Sequence, residues 1–562
     1  MKTRLLLLVS LLGPAPALPS DSSAIAQRAT AEALAKEGIS AARILERVKI
    51  LSSDEFEGRA PGSAGEDKTV AYLVGEFKKL GLAPGNPDGS YLQEVPMAGI
   101  TTTMQSAFTT AGTTLEPQPI TEFVARSRRV APSLAVKDTD VIFCGYGVVA
   151  PEYNWDDFKG VDVRGKTIVV LINDPPQTDP KDPTKLDDAV FKGKAMTYYG
   201  RWDYKYEQAA VVGAAACIIV HETGPAAYPF AVVGSRWAKE EFDLATPDGN
   251  AGAVGVQGWV TLDFARKLFT AAGQNYDVLK AAANNRNFKP VPLAARASFD
   301  VTNKLRSVTS HNVVARLDGA DARLKGEYVV YTAHWDHLGR DNRLKGDQIF
   351  NGAFDNATGT SALVEIAGGF AATTPPKRTM LFLAVTGEER GLLGAKYYAE
   401  HPLYPLERTL ADINMDRVQV FGPSRDLEVI GYGNSTIDDT AAAILARSQR
   451  VLVPDTLPEK GYFYRSDHFE FAKKGVPAFY TKFGKDLIGQ PPGAGAKLDE
   501  DYTNNDYHKV TDEIRPTWNF AGAVEDVKFL LELGRTIANG DKWPEWKPGN
   551  EFKARRDAML KK

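Results

Sequence analysis

The C-terminal half of the chain alternates short apolar runs with longer stretches of helical spacing. Runs such as EYVVYTAHW, TMLFLAVTG and DLEVIGYG are typical of strands, and TSALVEIAGGFAA and GLLGAKYYAEH have apolar positions at helical intervals. Nearly continuous apolar strands that alternate with helices indicate a parallel sheet covered on both faces. Residues 294–540 are therefore predicted to form an α/β domain with a mostly parallel central sheet and helices on both faces.

Two different patterns precede this domain. Residues 25–130 begin with amphipathic helical stretches around a polar loop, EFEGRAPGSAGE, and because these do not readily close a core alone, we expect them to pack on the later domain. Residues 135–285 contain short apolar strands separated by Asp, Pro and Gly, and they predict a smaller α/β module that restricts access or makes contacts. Residues 541–562 are predicted to be a C-terminal tail.

The first residues, MKTRLLLLVSLLGPAPALPS, have the pattern of a secretory signal. Two cations precede an apolar run from Leu5 to Leu12, and the small residues Ala15-Pro16-Ala17 follow. The run is too short to span a bilayer, and no later segment suggests a membrane span. We therefore expect residues 1–24 to be a cleaved signal peptide and the protein to be secreted or periplasmic.

Composition narrows the class of protein. The chain has 562 residues, 43% of them hydrophobic, and a formal net charge of −4, so it is an ordinary globular sequence with no basic excess that would indicate a nucleic-acid partner. Only two cysteines are present, Cys144 and Cys217, each inside a strand-like run. They could form one disulfide or remain two buried thiols, and neither lies in a nucleophile motif.

Carboxylates and imidazoles follow the apolar runs of the C-terminal domain. They are His334, Asp355, Glu388, Glu389, Asp416 and His508. In open α/β sheets, ligands and catalytic groups gather beyond the carboxyl ends of the strands. Nitrogen and oxygen ligands with one carboxylate to share are what two neighbouring zinc ions require for hydrolysis. We therefore expect two Zn²⁺ ions, with one spare carboxylate as a base.

Taken singly, these residues also have ordinary interpretations. Asp355 could cap a helix, and Glu388 and Glu389 are favourably placed at a helix N-terminus. Because adjacent side chains on an extended segment face opposite ways, one glutamate could bind metal while the other faces the substrate water. Asp336 lies on the same side of its strand as His334 and could hold the second ring N–H of that histidine. The remaining histidines, at positions 221, 311, 337, 401 and 468, lack this placement or these neighbours.

The order of the motifs adds a family resemblance. AHWDHLG, GAFDNATG, TGEERGLLG, NMD, RSDHFEFAKKGVPAF and YHKVTDE resemble the family-28 co-catalytic dizinc exopeptidases, which include secreted bacterial aminopeptidases and glutamate carboxypeptidase II. The middle segment, with VRGKTIVVL and YEQAAVVGAAACIIV, resembles the protease-associated domain often inserted in that family. The resemblance spans nearly the whole chain after the signal and implies the zinc exopeptidase fold.

The resemblance also implies a role for each residue. Asp355 would bridge the zinc ions, His334 and Asp416 would complete one, and Glu389 and His508 would complete the other. Glu388 matches the general base and Asp336 the orienting acid. Tyr507 matches the residue that steadies the oxyanion, and Tyr464 is a rival for that task.

The expected function is release of N-terminal residues from peptides, through attack of a zinc-bridged water or hydroxide that Glu388 deprotonates. One alternative is a carboxypeptidase or dipeptidase, which needs basic residues for a terminal carboxylate. Only Arg417 and Arg465 are visible for that purpose, and Arg59 could join them in space. A second alternative is a binding protein that keeps the scaffold without turnover.

Overall fold

The structure, a computed structural model, describes residues 38–561 except residues 227 and 238. The predicted signal peptide, residues 1–24, lies outside the described residues. Among the helices that the structure describes, none is long and apolar enough to cross a membrane.

Helices and strands alternate through most of the described chain. The principal helices are α1 (Ala41–Leu51), α2 (Ala64–Lys79), α3 (Trp202–Val211), α4 (Phe230–Trp237), α5 (Leu262–Ala271), α6 (Tyr276–Ala283), α7 (Thr358–Ala371), α8 (Leu393–Glu400), α9 (Ile437–Leu445), α10 (His468–Lys473), α11 (Ala494–Asn505), α12 (Ala521–Asn539) and α13 (Lys553–Leu560). The principal strands are β1 (Leu92–Thr110), β2 (Phe123–Arg126), β3 (Ser133–Phe143), β4 (Thr167–Leu171), β5 (Ala216–His221), β6 (Glu241–Leu244), β7 (Val256–Thr261), β8 (Val291–Leu317), β9 (Tyr328–His334), β10 (Thr379–Val385), β11 (Thr409–Met415), β12 (Asp426–Ile430), β13 (Val451–Pro454) and β14 (Ala478–Lys482).

These strands form one continuous mixed sheet. Its order is β13-β12-β14-β11-β9-β10-β8-β3-β4-β5-β7-β2, with β1 paired to β8 and β6 paired to β1. In the C-terminal half, β10, β9, β11 and β14 are parallel to one another, whereas β8 is antiparallel to β10 and β12 is antiparallel to β14. The edge strand β13 is parallel to β12. The predicted α/β class is confirmed. The sheet is mixed because β8 enters the C-terminal half as one arm of a long antiparallel ribbon with β1.

Strand β8 joins two halves of the molecule. Its residues 313–317 pair with β10, and its residues 291–302 pair with β3. Separate buried clusters of apolar side chains lie on the two halves, and α1 and α2 contribute to the cluster of the C-terminal half. The boundaries predicted for the middle module and the other segments stay predictions.

The central strands place their following residues at one edge of the sheet. All seven residues of β10 are buried, because helices cover both faces. The parallel strands β9, β10 and β11 run side by side. Parallel neighbours end at the same edge, so the residues that follow them meet there.

The cysteines do not pair. Both are buried free thiols, and the part of the chain that the structure describes contains no bond between them. Strand β4 lies between the two cysteines. Cys217 on β5 pairs with one edge of β4, and Cys144, just after β3, donates its N–H to the carbonyl of Val169 at the opposite edge of β4. Two strand spacings amount to roughly 9–10 Å, beyond the roughly 7 Å that a disulfide can join. Of the two interpretations, buried thiols is the correct one.

A buried ion pair attaches α1 to the C-terminal core. Glu365 on α7 has a fully buried carboxylate. It accepts from Arg43 Nη2 at 2.6 Å, from Arg47 Nη1, and from the main-chain N–H of Ser40 at 2.9 Å. These donors surround a charge that has no access to water, so the pairing stabilises the junction only while the set is complete.

We predict that Glu365→Ala lowers the free energy of unfolding by about 3–5 kcal/mol, because the substitution removes the fully buried carboxylate that Arg43 and Arg47 share and leaves the buried Arg47 with Glu76 alone. The measurement is denaturant unfolding of the purified protein. Glu532→Ala is the matched control, since Glu532 on α12 pairs with Arg447 at 3.5 Å near the surface, where such pairs contribute about 0–1 kcal/mol. Equal losses in the two variants would contradict the role given to Glu365.

Candidate metal centre

Three parallel strands bring four of the predicted residues to one edge of the sheet. His334 is the last residue of β9, and Asp416 directly follows β11. Glu388 and Glu389 form a short 3-10 turn just after β10, between Gly387 and α8. The convergence therefore follows from the strand order.

Two irregular segments supply the other predicted residues. Asp355 lies in the loop before α7, and His508 lies in the turn after α11 with a φ of 58°. The Asp355 loop begins at Gly352, which has a φ of 54°, and a Cβ added there would meet the main chain of Asp355 and the ring of His337. Glycine is therefore required for the loop to enter the centre this closely.

Asp355 lies between two histidines. Its Oδ1 is 3.4 Å from Nε2 of His334, and its Oδ2 is 3.4 Å from Nε2 of His508. Asp416 Oδ1 lies 3.6 Å from the same His334 nitrogen, and Glu389 Oε2 lies 3.0 Å from the same His508 nitrogen. The five side chains thus form two groups of three that share Asp355.

The hydrogen bonding of this cluster fits metal ligation. Nε2 of His334 and Nε2 of His508 are buried and make no hydrogen bond with any residue that the structure describes. Buried polar atoms normally have partners, and imidazole nitrogens and carboxylate oxygens are the usual protein ligands of zinc together with thiolates. His334, Asp355 and Asp416 bring one ligand atom each within 4.8 Å of one another. The residues therefore fit two zinc ions, while their individual roles stay predictions.

Negative charge is concentrated in this cluster. Burial raises the pKa of the Glu388 carboxyl well above its usual range, and Glu389 and Asp416 add to the shift, although His334 opposes it. Burial acts on Glu389 in the same direction, but the His508 and His337 rings together outweigh it and lower the pKa of Glu389. Carboxylates that are removed from water and close together need positive charge to stay ionised. Bound divalent cations would supply that charge.

The Asp336 carboxylate contacts different groups from the one expected. The ring nitrogen Nδ1 of His334 lies 3.1 Å from the main-chain oxygen of Asp336 and 3.8 Å from its carboxylate. The carboxylate instead accepts the main-chain N–H groups of Glu388 at 3.0 Å and Glu389 at 3.4 Å. The expectation that the carboxylate holds the ring was wrong, because the chain turns after His334 and the carboxylate points to the turn after β10.

His337 belongs to the centre, contrary to the expectation that it lacks suitable neighbours. Its Nδ1 lies 2.8 Å from Oε1 of Glu389, and its ring meets the His508 ring edge-on with centroids 5.8 Å apart. His337, Asp355 and Glu389 form a further group of potential ligands. Its place in the motif AHWDHLG was the available signal, but the turn that directs its ring inward is not visible in a strand pattern.

The motif RSDHFEF contributes two more buried groups that strand ends alone do not identify. Both carboxylate oxygens of Asp467 are buried without a hydrogen bond to any described residue. Burial raises the pKa of Asp467 well above its usual range, and His334 opposes the shift. The His468 ring packs between Phe463 and Tyr480, with centroids 4.7 and 4.8 Å away. His468 is thus surrounded by aromatic rings, while Asp467 is a buried carboxyl group close to His334.

The two candidate tyrosines differ in what holds them. The ring of Tyr507 stacks on His508 with centroids 3.8 Å apart and is half-buried. The hydroxyl of Tyr464 donates to Glu551 at 2.7 Å. Tyr507 is therefore the one that lies against a predicted ligand.

The three candidate arginines do not form one cationic clamp. Arg59 is buried and donates to main-chain carbonyls, so its guanidinium is fully engaged. Arg417 packs against three aromatic rings at 5.5–5.7 Å, those of Phe354, Tyr502 and Tyr507. Arg465 lies over the Tyr462 ring at 5.4 Å. The suggestion that Arg59 could join the other two at a substrate carboxylate was wrong.

Comparison with known sequences identifies the class of the C-terminal domain. Residues 312–531 match the sequence model of Peptidase family M28. The family predicted from the motifs is thereby confirmed.

Particular relatives match shorter stretches. The aminopeptidase NAALADL1 of Mus musculus is 32% identical over 136 residues, which is 23% of this chain and 16% of that protein. A probable zinc metalloprotease of Pyrenophora tritici-repentis strain Pt-1C-BFP is 37% identical over 93 residues, which is 16% of this chain and 18% of that protein. The chain thus matches less than a fifth of the length of these curated relatives.

Among solved structures, the aminopeptidase from Aneurinibacillus sp. strain AM-1 is similar with a TM-score of 0.48 and 18% identity, over 92% of this chain and 97% of that one. BSAP, a zinc aminopeptidase from Bacillus subtilis, is similar with a TM-score of 0.38 and 18% identity, over 89% of this chain and 94% of that one.

Proposed function

We propose that this protein is a zinc-dependent aminopeptidase that hydrolyses the N-terminal peptide bond of peptides. The observation that carries the proposal is the position of Asp355, whose two carboxylate oxygens each face a different histidine. A carboxylate shared in this way suits a pair of zinc ions, and pairs of metal ions occur in aminopeptidases. The match of the C-terminal domain to peptidase family M28 supports peptides as the substrates.

The residues divide between the two ions as the contacts divide them. His334, Asp355 and Asp416 would hold one zinc ion, and Asp355, Glu389 and His508 would hold the other. When bound, zinc polarises the scissile carbonyl and makes a water molecule acidic enough to attack at neutral pH.

Glu388 is the general base of the proposed reaction. It lies beside the ligand Glu389, and the Asp336 carboxylate fixes the main chain of the turn that carries both. Glu388 is half-buried, whereas Glu389 is buried against His508. Glu388 takes the proton of the attacking water and returns it to the leaving amine, which is the work of a positioned carboxylate.

Tyr507 is proposed to stabilise the oxyanion. Its ring stacks on His508, which places the side chain next to the second ligand group. A hydroxyl donor near the carbonyl oxygen stabilises the negative charge that develops as the tetrahedral intermediate forms. Tyr464 is a weaker candidate because its hydroxyl already donates to Glu551.

The charge of the centre favours recognition of a free N-terminus. Glu388, Glu389, Asp355 and Asp416 provide carboxylates that can accept protons of an α-amine. A carboxypeptidase needs a cationic clamp for the opposite end of the peptide. Arg59 is unavailable for such a clamp, and Arg417 packs on aromatic rings.

We also propose that the protein is exported, which the cations, apolar run and small residues at its N-terminus support. Mass spectrometry of the mature N-terminus tests this. Recovery of the protein with Met1 intact from an exporting host would contradict export through a cleaved signal.

The two adjacent glutamates give matched variants. We predict that Glu388→Gln lowers kcat by about 10²- to 10⁴-fold, because it removes the base, and that it leaves the zinc content unchanged. Glu389→Gln should instead reduce the zinc content, because it replaces a ligand. Elemental analysis and the rate of hydrolysis are measured on the same samples. The opposite pattern would mean that Glu389 is the base and Glu388 the ligand. Full activity of Glu388→Gln would show that Glu388 is not the general base.

A panel of blocked peptides identifies the end that is recognised. We predict that amino-acid arylamides, free peptides and C-terminally amidated peptides are cleaved, whereas N-acetylation abolishes cleavage, because the acetyl group removes the charge of the amine. Cleavage is followed by mass spectrometry of the products. Cleavage of N-acetylated peptides together with resistance of amidated ones would favour a carboxypeptidase and direct attention to Arg465.

A further inference from the structure

Arg59 is a buried cation whose partners are main-chain carbonyls. Its residue is 1% exposed, and its backbone has a φ of 52°. Nε donates to the carbonyl of Trp335 at 2.9 Å, and Nη2 donates to the carbonyl of Gly352 at 2.9 Å. Nη1 donates to the carbonyls of Leu51 at 2.5 Å and Asn351 at 2.7 Å. One guanidinium thus joins three separate segments of the chain.

Two of these segments carry predicted zinc ligands. Trp335 directly follows His334, and Gly352 begins the loop that contains Asp355. The main-chain oxygen of Arg59 also accepts the N–H of His337 at 3.3 Å. The relative position of the two ligand segments therefore depends on this one residue of the N-terminal segment.

The Asp355 loop is held from its other side by Asp512. Asp512 Oδ1 accepts the N–H of Phe354 at 3.0 Å, and Oδ2 accepts the N–H of Asp355 at 3.1 Å. The Tyr502 hydroxyl donates to Oδ2 at 3.0 Å and orients the carboxylate. Arg59 binds carbonyls at the beginning of the loop, and Asp512 binds amides further along it. The loop has little freedom to move unless one of these two contacts is lost.

An arginine is specifically suited to this position. Its planar guanidinium presents five N–H donors in fixed directions, whereas a lysine presents three donors on a single nitrogen. A lysine at position 59 could not reach carbonyls on three segments at the same time. The lysine ammonium is smaller than the guanidinium and would leave some of these buried carbonyls without donors. This costs free energy and releases the segments.

We propose that Arg59 is a positioning residue for the metal centre, which sets the distance between His334 and Asp355 by joining the two segments that carry them. The inference deepens the proposed function and rests on it for the activity readout. Groups that hold metal ligands in place typically change metal affinity or activity by about 10- to 100-fold when they are altered. The affinity for Zn²⁺ can be measured whether or not the protein hydrolyses peptides.

The matched control is Arg556 on α13, which is also buried and donates to main-chain carbonyls, those of Leu406 at 3.1 Å and Thr409 at 2.7 Å. Thr409 begins β11, so it lies roughly 20 Å along the strand from Asp416. Replacement of Arg556 removes a comparable set of buried hydrogen bonds without reaching the centre.

The test compares Arg59→Lys with Arg556→Lys. Zn²⁺ affinity is measured on metal-free protein by competition with a chromophoric chelator, and kcat and KM are measured on an unblocked arylamide.

We predict that Arg59→Lys weakens Zn²⁺ binding by about tenfold or more and lowers kcat with little change in KM. Arg556→Lys should lower the thermal midpoint but leave Zn²⁺ affinity within about twofold, since it is remote from the ligands. If Arg59→Lys does not fold, Arg59→Gln takes its place in the comparison, because the smaller glutamine amide keeps two donors.

Unchanged Zn²⁺ affinity in a folded Arg59 variant would overturn the proposal, as would an equal loss in the Arg556 variant. If the wild-type protein binds Zn²⁺ but cleaves no peptide or arylamide, the proposed function fails. The comparison of affinities then still decides the role of Arg59.

Discussion

Buried negative charge at one edge of the sheet is the constraint on which the arrangement depends. Asp355, Glu388, Glu389 and Asp416 lie with His334 and His508 in a space that is mostly closed to water. Carboxylates in such a place repel one another unless cations or hydrogen-bond donors compensate for them. The histidine contacts, the guanidinium of Arg59 and two zinc ions would together provide that compensation. The same concentration of charge would make the centre reactive toward a water molecule and receptive to an amine.

The rest of the fold holds these groups in a rigid frame. Parallel β9, β10 and β11 end together, and the N-terminal segment and the turn after α11 close the centre from two sides. Residues just before α3 also contribute, since the Met196 N–H donates to the carbonyl of Pro458 at 3.1 Å, and the Tyr198 ring meets Phe469 with centroids 5.0 Å apart. These contacts support the segment that carries Asp467. Residues far apart in the sequence therefore share one site.

The sequence was sufficient to predict the α/β class and to select the residues that converge. Both are encoded locally: apolar runs mark the strands, His334 is the last residue of one, and Glu388, Glu389 and Asp416 come just after others. The family motifs supplied Asp355 and His508, which lie in irregular segments.

What the sequence could not predict depends on the direction of side chains after a turn and on contacts between distant segments. His337 turns inward against Glu389, and the Asp336 carboxylate binds main-chain amides instead of a ring. Arg59 faces carbonyls more than 270 positions away, so no local pattern reveals its role. The separation of Cys144 and Cys217 by β4 likewise appears only once the strand order is known.

The central claim is that two zinc ions share Asp355 and support hydrolysis. The most direct measurement is titration of metal-free protein with Zn²⁺ while the hydrolysis of an unblocked amino-acid arylamide is followed. We expect activity to be absent without metal and to rise until about two equivalents are bound, because five ligands of this type exceed what one tetrahedral zinc ion uses. Full activity at one equivalent, or activity that persists after complete removal of metal, would contradict the account.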